Sequence, residues 1–139
     1  MVLVLDTNVI SELIRLAPNI AVQEWMRRNG EVTALTTITR AELRFGVGRM
    51  PRGARRQQVA AAVDAVLAEF EVDTLPFDRR AADRYGELAA HQERSGAPKP
   101  MADTMIAAIC LANGCGLVTR NTADFDDAGL VALINPFGE

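Results

Sequence analysis

Short apolar runs alternate with longer amphipathic stretches along this chain. Runs of apolar and β-branched residues at Val2–Leu5, Thr33–Thr36, Val72–Leu75, Gly116–Thr119 and Val131–Ile134 read as strands. Between them, apolar positions recurring every three or four residues predict helices over 8–16, 20–29, 38–49, 53–70, 78–95 and 101–113. In the longest of these, Val59, Val63, Val66, Leu67 and Phe70 form one stripe, the mark of a helix packed against a core. Alternation of this kind predicts an α/β fold with a parallel sheet and helices on both of its faces. The segments MPRG (50–53) and SGAPKP (95–100) interrupt the pattern as loops rather than linkers, and no internal repeat is present. Residues 1–139 are therefore expected to form a single domain.

Composition agrees with that expectation and narrows the function. With 49% hydrophobic and 24% charged residues, the chain has enough apolar surface for one sizeable core. The N-terminal apolar run spans five residues, follows no basic segment and stops at Asp6, so it is expected to be neither a secretory leader nor a membrane span. A cytoplasmic location is expected. Cys110 and Cys115, without a CxxC spacing or a histidine cluster, are expected to be buried free thiols. His91, the single histidine, is expected on the surface, and Trp25 and Tyr85 are expected to pack rather than stack on bases.

The net charge of −3 argues against simple electrostatic wrapping of nucleic acid. The basic residues are nevertheless unevenly placed: Arg40, Arg44, Arg49, Arg52, Arg55 and Arg56 fall close together. They form either a solvated helix face or a rim of planar guanidinium forks suited to phosphate oxygens.

Four carboxylates carry the candidate chemistry. In VLVLDTN (2–8) a strand ends on Asp6, at the edge of a parallel sheet where ligands bind, although Asp6, Thr7 or Asn8 must also cap the following helix. In ITRAELRFGVGRM, Glu42 falls along the row Ile38, Ala41, Phe45 and Gly48, which reads as the inward face; its alternative is a surface or arginine-paired role. Asp103 is the only acid in MADTMIAAICLANG, an almost wholly apolar helix, where it also complements the helix dipole. Asp124 and Asn121 lie in the loop after the fourth strand, where Asx turns alone would account for them. All four acids are expected at one edge of the sheet.

Four ionised carboxylates in one crevice repel one another unless a cation joins them. Oxygen donors without His or Cys suit the hard ions Mg²⁺ or Mn²⁺ better than zinc. Such ions promote attack of water on phosphates, which points to metal-dependent phosphodiester hydrolysis.

Taken together, VLDTNVISEL, TRAELRFG, ADTMIAAICLANG and LVTRNTADF resemble the PIN domain, and within it the VapC-type toxins of bacterial toxin–antitoxin pairs, including the FitB-like branch. The resemblance covers essentially the whole chain. It implies a three-layer α/β/α sandwich with a four- to five-stranded parallel sheet. It also implies an acidic quartet of Asp6, Glu42, Asp103 and Asp124 binding Mg²⁺ or Mn²⁺, with Asp6 and Asp103 as direct ligands. Thr7, Asn8, Thr119 and Asn121 would be supporting polar residues. RNA would be the substrate, a VapB-like antitoxin the partner, and operator DNA a contact made only through that antitoxin. A homodimer or a toxin–antitoxin hetero-oligomer is implied, with no membrane association.

Competing readings fit less well. A haloacid dehalogenase-type phosphotransferase expects a second Asp two residues after the first, where this chain has Asn8. Gly46 and Gly48 fall at the end of a helix and lack the third glycine of a dinucleotide fingerprint. The remaining competitor is a non-catalytic nucleic-acid or partner-binding PIN module, in which the same acids bind a basic partner segment and hydrolysis is absent. Cleavage of RNA that a chelator abolishes separates the two.

Overall fold

In the computed structural model, which describes residues 1–139, five parallel strands form one sheet. They are β1 (Leu3–Leu5), β2 (Thr33–Thr36), β3 (Thr74–Leu75), β4 (Gly116–Val118) and β5 (Leu133–Ile134), in the order β3-β2-β1-β4-β5. Six helices cover the sheet: α1 (Thr7–Leu13), α2 (Ile20–Asn29), α3 (Thr37–Gly48), α4 (Ala54–Glu69), α5 (Arg79–Arg94) and α6 (Met101–Asn113). Every strand pairing is parallel, with Leu3, Val4 and Leu5 of β1 opposite Gly116, Leu117 and Val118 of β4. No helix is long and apolar enough to cross a membrane.

Alternation along the central strands divides the core into two layers. Leu3, Leu5 and Val118 point to one side, where they meet Val9 and Ile10 of α1, Val22 of α2, and Val63 and Leu67 of α4. Val4 and Leu117 point to the other, against Ile106, Ala107 and Cys110 of α6 and Leu88 of α5. This is the α/β/α sandwich expected from the sequence. Close approach is enforced at Gly116, where an added Cβ would lie 2.8 Å from Leu3 Cδ2 and 2.9 Å from the Ala132 Cβ. Gly114, at φ +64°, supplies the left-handed residue that ends α6.

Three expectations need adjustment. The edge strands are shorter than predicted, because Val72 and Val131, 93% and 64% exposed, have nothing packed over them. Helix α1 stops at Leu13 rather than residue 16, since Pro18 disfavours helix at Ala17 and the Asn19 side chain caps α2 through Ala21 N and Val22 N.

The inward face of α3 is also different. Thr39 and Leu43 are buried and Ile38 and Val47 partly so, whereas Ala41, Gly48 and Phe45 lie outward, Phe45 being 67% exposed. The Thr36 hydroxyl accepts from Thr39 N and fixes the start of the helix, and Thr39 then meets Thr7 of α1. That polar contact selects the Thr39–Leu43 row, and Phe45 instead lies beneath the Arg49 guanidinium, 5.5 Å from its ring centre. Cys110 and Cys115 are buried free thiols, His91 is exposed, and Tyr85 packs edge-on against Phe77, as expected.

Candidate functional site

The strand order reverses between β1 and β4, and chains leaving the carboxyl ends of these neighbours diverge into a crevice. Asp6 stands at that point. Its backbone N–H donates to Val118 O at 2.9 Å, and its carboxylate caps α1 by accepting from Thr7 N at 2.7 Å. Of the three capping candidates the cap is thus Asp6 itself, and this does not remove it from the crevice.

The second Asp6 oxygen is held from the end of β4 and from the first turn of α1. Thr119, fully buried, donates its hydroxyl to Asp6 Oδ2 at 2.7 Å, and Asn8 Nδ2 donates to the same oxygen at 3.3 Å. Thr119 Oγ1 in turn accepts from Asn8 Nδ2 at 3.2 Å and from Asn121 N at 3.1 Å. Asn8 Oδ1 accepts from Arg120 N at 3.2 Å. One buried hydroxyl and one amide therefore lock the ends of β1 and β4 together around a carboxylate.

Thr7 joins Asp6 to Glu42. While its N–H serves Asp6, its hydroxyl donates to Glu42 Oε1 at 2.6 Å and lies 3.0 Å from the buried Thr39 hydroxyl, which is left to donate to it. Glu42 therefore does reach the crevice from α3, although on a different helix face from the one expected.

Asp103 enters from the first turn of α6, half-buried, beside Asp124 in the turn after β4. Burial pushes its carboxyl up to about 7, aided by the charges of Asp6, Asp124 and Glu42 and by its side-chain contact with Asp124. Burial also raises Asp6, against the pull of its bonds to Thr119 and Thr7. None of the protein's ion pairs involves any of the four acids. The four act on one another electrostatically, and none is paired directly with a basic side chain.

Asp6, Glu42 and Asp103 line a cleft of about 460 Å³ together with Thr7, Asn8 and Asn121. Asp124 is not part of this lining, but its charge bears on both Asp6 and Asp103. As the side chains stand, no three acidic, histidine or cysteine groups enclose a point that would hold an ion. The donor set is nonetheless all oxygen, negative and short of positive charge, which fits a hard divalent cation and does not fit zinc.

The arginine group is not gathered at this cleft. Arg40 and Arg44 pair with Glu71 and Asp64 at 3.9 and 2.5 Å, Arg49 covers Phe45, and Arg52 and Arg56 border a separate hollow at the start of α4, with Arg55 facing another. The basic residues that line the cleft are Arg15 and Arg120, neither of which sequence reasoning singled out. Their only signal was position, two residues beyond DTNVISEL and inside LVTRN. Thr39, which steadies Thr7, gave no signal at all.

Comparison with known proteins identifies the family and the fold. A family model described as the PIN domain matches residues 3–130. Plasmid stability protein StbB of Pseudomonas syringae pv. tomato is 42% identical over 137 residues, covering 97% of this chain and 98% of that protein. VapC ribonuclease Y4jK of Sinorhizobium fredii is also 42% identical, covering 97% of each. Toxin FitB of Neisseria gonorrhoeae is 34% identical over 97% of this chain and 98% of its own. Among solved structures, FitAB bound to the IR36 DNA fragment superposes with a TM-score of 0.89 at 32% identity, over 99% of this chain and 96% of that one. The chain belongs to the PIN-domain family, among relatives named VapC ribonuclease and toxin FitB.

Proposed function

We propose that this protein is a ribonuclease toxin of a type II toxin–antitoxin system, hydrolysing RNA phosphodiester bonds in the carboxylate cleft with Mg²⁺ or Mn²⁺. The observation that carries the reading is the meeting of Asp6, Glu42 and Asp103 in one cleft, with the charge of Asp124 bearing on them and none of the four in an ion pair, on a chain whose relatives include a VapC ribonuclease. Asp6 and Asp103 would hold the ion, with Glu42 and Asp124 completing the set. When bound, such an ion offsets charge at the phosphate and lowers the pKa of an attacking water.

The chain's own residues supply orientation. Thr119 and Asn8 hold Asp6 Oδ2, and Thr7 holds Glu42 Oε1, so two of the acids are fixed before substrate arrives. Buried side chains beneath the cleft, Thr119 and Thr39 among them, keep this floor rigid.

An antitoxin of the VapB or FitA kind is the proposed partner, supported by the FitAB complex as a structural neighbour, and operator DNA would be reached through it. A groove of about 510 Å³ between α1, α2 and α4, lined by Leu13, Ile14, Met26 and Val66, offers such a partner an apolar surface. Assembly as a homodimer or as a toxin–antitoxin hetero-oligomer, and a cytoplasmic location, follow from the same reading.

The test is cleavage of total bacterial RNA by the purified chain. Activity is expected with Mn²⁺ and absent with EDTA. Binding of RNA without cleavage under either condition would favour the non-catalytic module instead.

A further inference from the structure

A single-stranded RNA is a polyanion, and the cleft it must enter has an acidic floor. Positive charge at the lips is therefore needed to bring its backbone in. The lining supplies two such groups, Arg15 from the turn after α1 and Arg120 from the turn after β4.

Arg120 is built into the site. Its N–H is tied to Asn8 Oδ1, and Asn8 also grips Asp6 and Thr119, so the backbone of Arg120 moves with the carboxylate floor. Its guanidinium lies 4.7 Å from the centre of the Phe137 ring, and both Nε and Nη2 reach Glu139 Oε1, at 2.8 and 2.7 Å. The donor edge that matches two phosphate oxygens is thus occupied by a carboxylate. Arg120 and Glu139 are each about half exposed, at 53% and 50%, which makes this a weak and exchangeable pair. Arg15 differs: its partner Glu12 is buried and also accepts from Asn19 N, and only Nη1 of Arg15 meets it, at 3.3 Å. The rest of that guanidinium, on a side chain 67% exposed, has no protein partner, and Arg15 borders both this cleft and the neighbouring hollow that Arg55 faces.

We propose that Arg120 and Arg15 are the phosphate-binding residues of the cleft, and that Glu139 occupies Arg120 as a carboxylate stand-in which an RNA phosphate displaces. The inference rests on the ribonuclease reading. It assigns substrate binding to the cleft lips rather than to the arginines between Arg40 and Arg56.

The test uses the full chain in two assays. Cleavage of total bacterial RNA in Mn²⁺ checks the ribonuclease reading. Anisotropy with a mixed-sequence, fluorescein-labelled single-stranded RNA, on an Asp6→Asn background and across a NaCl series, checks the arginines. Arg120→Gln and Arg15→Gln are each expected to raise Kd about 3- to 10-fold and to flatten the log–log salt slope by about 0.7 for each phosphate no longer neutralised. Glu139→Gln is expected to lower Kd about 2- to 3-fold with Arg120 in place and to have no such effect in the Arg120→Gln variant, a dependence that general loss of one negative charge would not produce.

Unchanged Kd and slope in both arginine variants, or a larger effect from the triple variant Arg52→Gln, Arg55→Gln, Arg56→Gln, would overturn the proposal even where the wild type cleaves RNA. Weaker rather than tighter binding by Glu139→Gln would overturn the stand-in role. Failure of the wild-type chain to cleave RNA counts against the ribonuclease reading alone, since the binding assay reads the arginines independently.

Discussion

The Thr119 hydroxyl donates to Asp6 Oδ2 at 2.7 Å across the junction of β4 and β1, and the oxygen of that hydroxyl accepts from Asn8 Nδ2 and Asn121 N. Thr119 is fully buried and Asp6 only 4% exposed, so water cannot replace these bonds if the hydroxyl is removed. Thr119→Val keeps the shape and deletes the oxygen. It is expected to cost about 2–3 kcal/mol in urea unfolding, because a carboxylate, an amide and a backbone N–H lose a partner together. RNA cleavage is expected to fall about 10- to 100-fold, the usual effect of removing a residue that orients a metal ligand. Thr119→Ser should restore most of both; a valine variant with wild-type stability and activity would remove Thr119 from the site.

Asp6→Asn addresses the carboxylate itself. The cap to Thr7 N survives, since the amide oxygen still accepts, whereas the new NH₂ faces Asn8 Nδ2, donor against donor. A modest destabilisation of about 1 kcal/mol is expected. Metal-dependent cleavage should disappear. Isothermal titration with Mn²⁺ and an RNA cleavage assay, each run beside a thermal melt, separate loss of function from loss of fold.

The pH dependence follows from Asp103. Its carboxyl is raised from an ordinary 3.8 to about 7, first by burial and then by the charges of Asp6, Asp124 and Glu42. Between those values the metal-free folded chain holds a proton that the unfolded chain has released. The resulting stability is present in full below about pH 4 and is lost as pH rises through about 7. Asp103 is half exposed, so solvent screening reduces the effect to about 1–2 kcal/mol. In EDTA the wild type should therefore lose a few degrees of Tm relative to Asp103→Asn between pH 4 and 8. Mn²⁺ affinity of the wild type should rise over the same range, because ligation needs the ionised form. A melting difference that stays flat with pH would show that Asp103 does not carry the proton.

Thr7→Val tests the link between Asp6 and Glu42. It removes the 2.6 Å bond to Glu42 Oε1 and the bond to the Thr39 hydroxyl, leaving only the backbone bond to Asp6. Stability should fall by about 1 kcal/mol and cleavage by about tenfold, with Thr7→Ser restoring both. The check is a single-turnover cleavage rate measured beside a urea melt.

Gly116→Ala tests the sheet that carries the site. The added methyl would sit 2.8 Å from Leu3 Cδ2 and 2.9 Å from the Ala132 Cβ, between β1 and the chain entering β5. Leu3 can rotate away, but the Ala132 Cβ moves only with its backbone. Overpacking of this kind is expected to destabilise by about 1–3 kcal/mol, measured by urea unfolding.

Much of this was legible in the residues. Strands and helices were readable because Leu3–Val4–Leu5 alternates between two apolar layers and the Val63–Leu67–Phe70 stripe repeats with helical period, and periodicity is a local property. Asp6 and Asp103 stood out because a carboxylate ends an apolar strand or opens an apolar helix, against the cost of burying charge. What stayed hidden depended on which surfaces meet. The row Ile38–Ala41–Phe45 looks more apolar than Thr39–Leu43, yet the second is buried, because Thr39 pairs with Thr7 from another helix.

The sequence by itself determined an alternating α/β chain and the identity of its acidic residues, since both arise from patterns that span only a few neighbours. Only the tertiary structure decided which groups share the cleft. Placing β1 beside β4 brought Thr119 to Asp6 and Arg120 to Asn8, across 113 and 112 positions respectively. It also left the arginines from Arg40 to Arg56 off that cleft. Hydrogen bonds and charges act through distance in space, and strand order, not proximity in sequence, sets that distance.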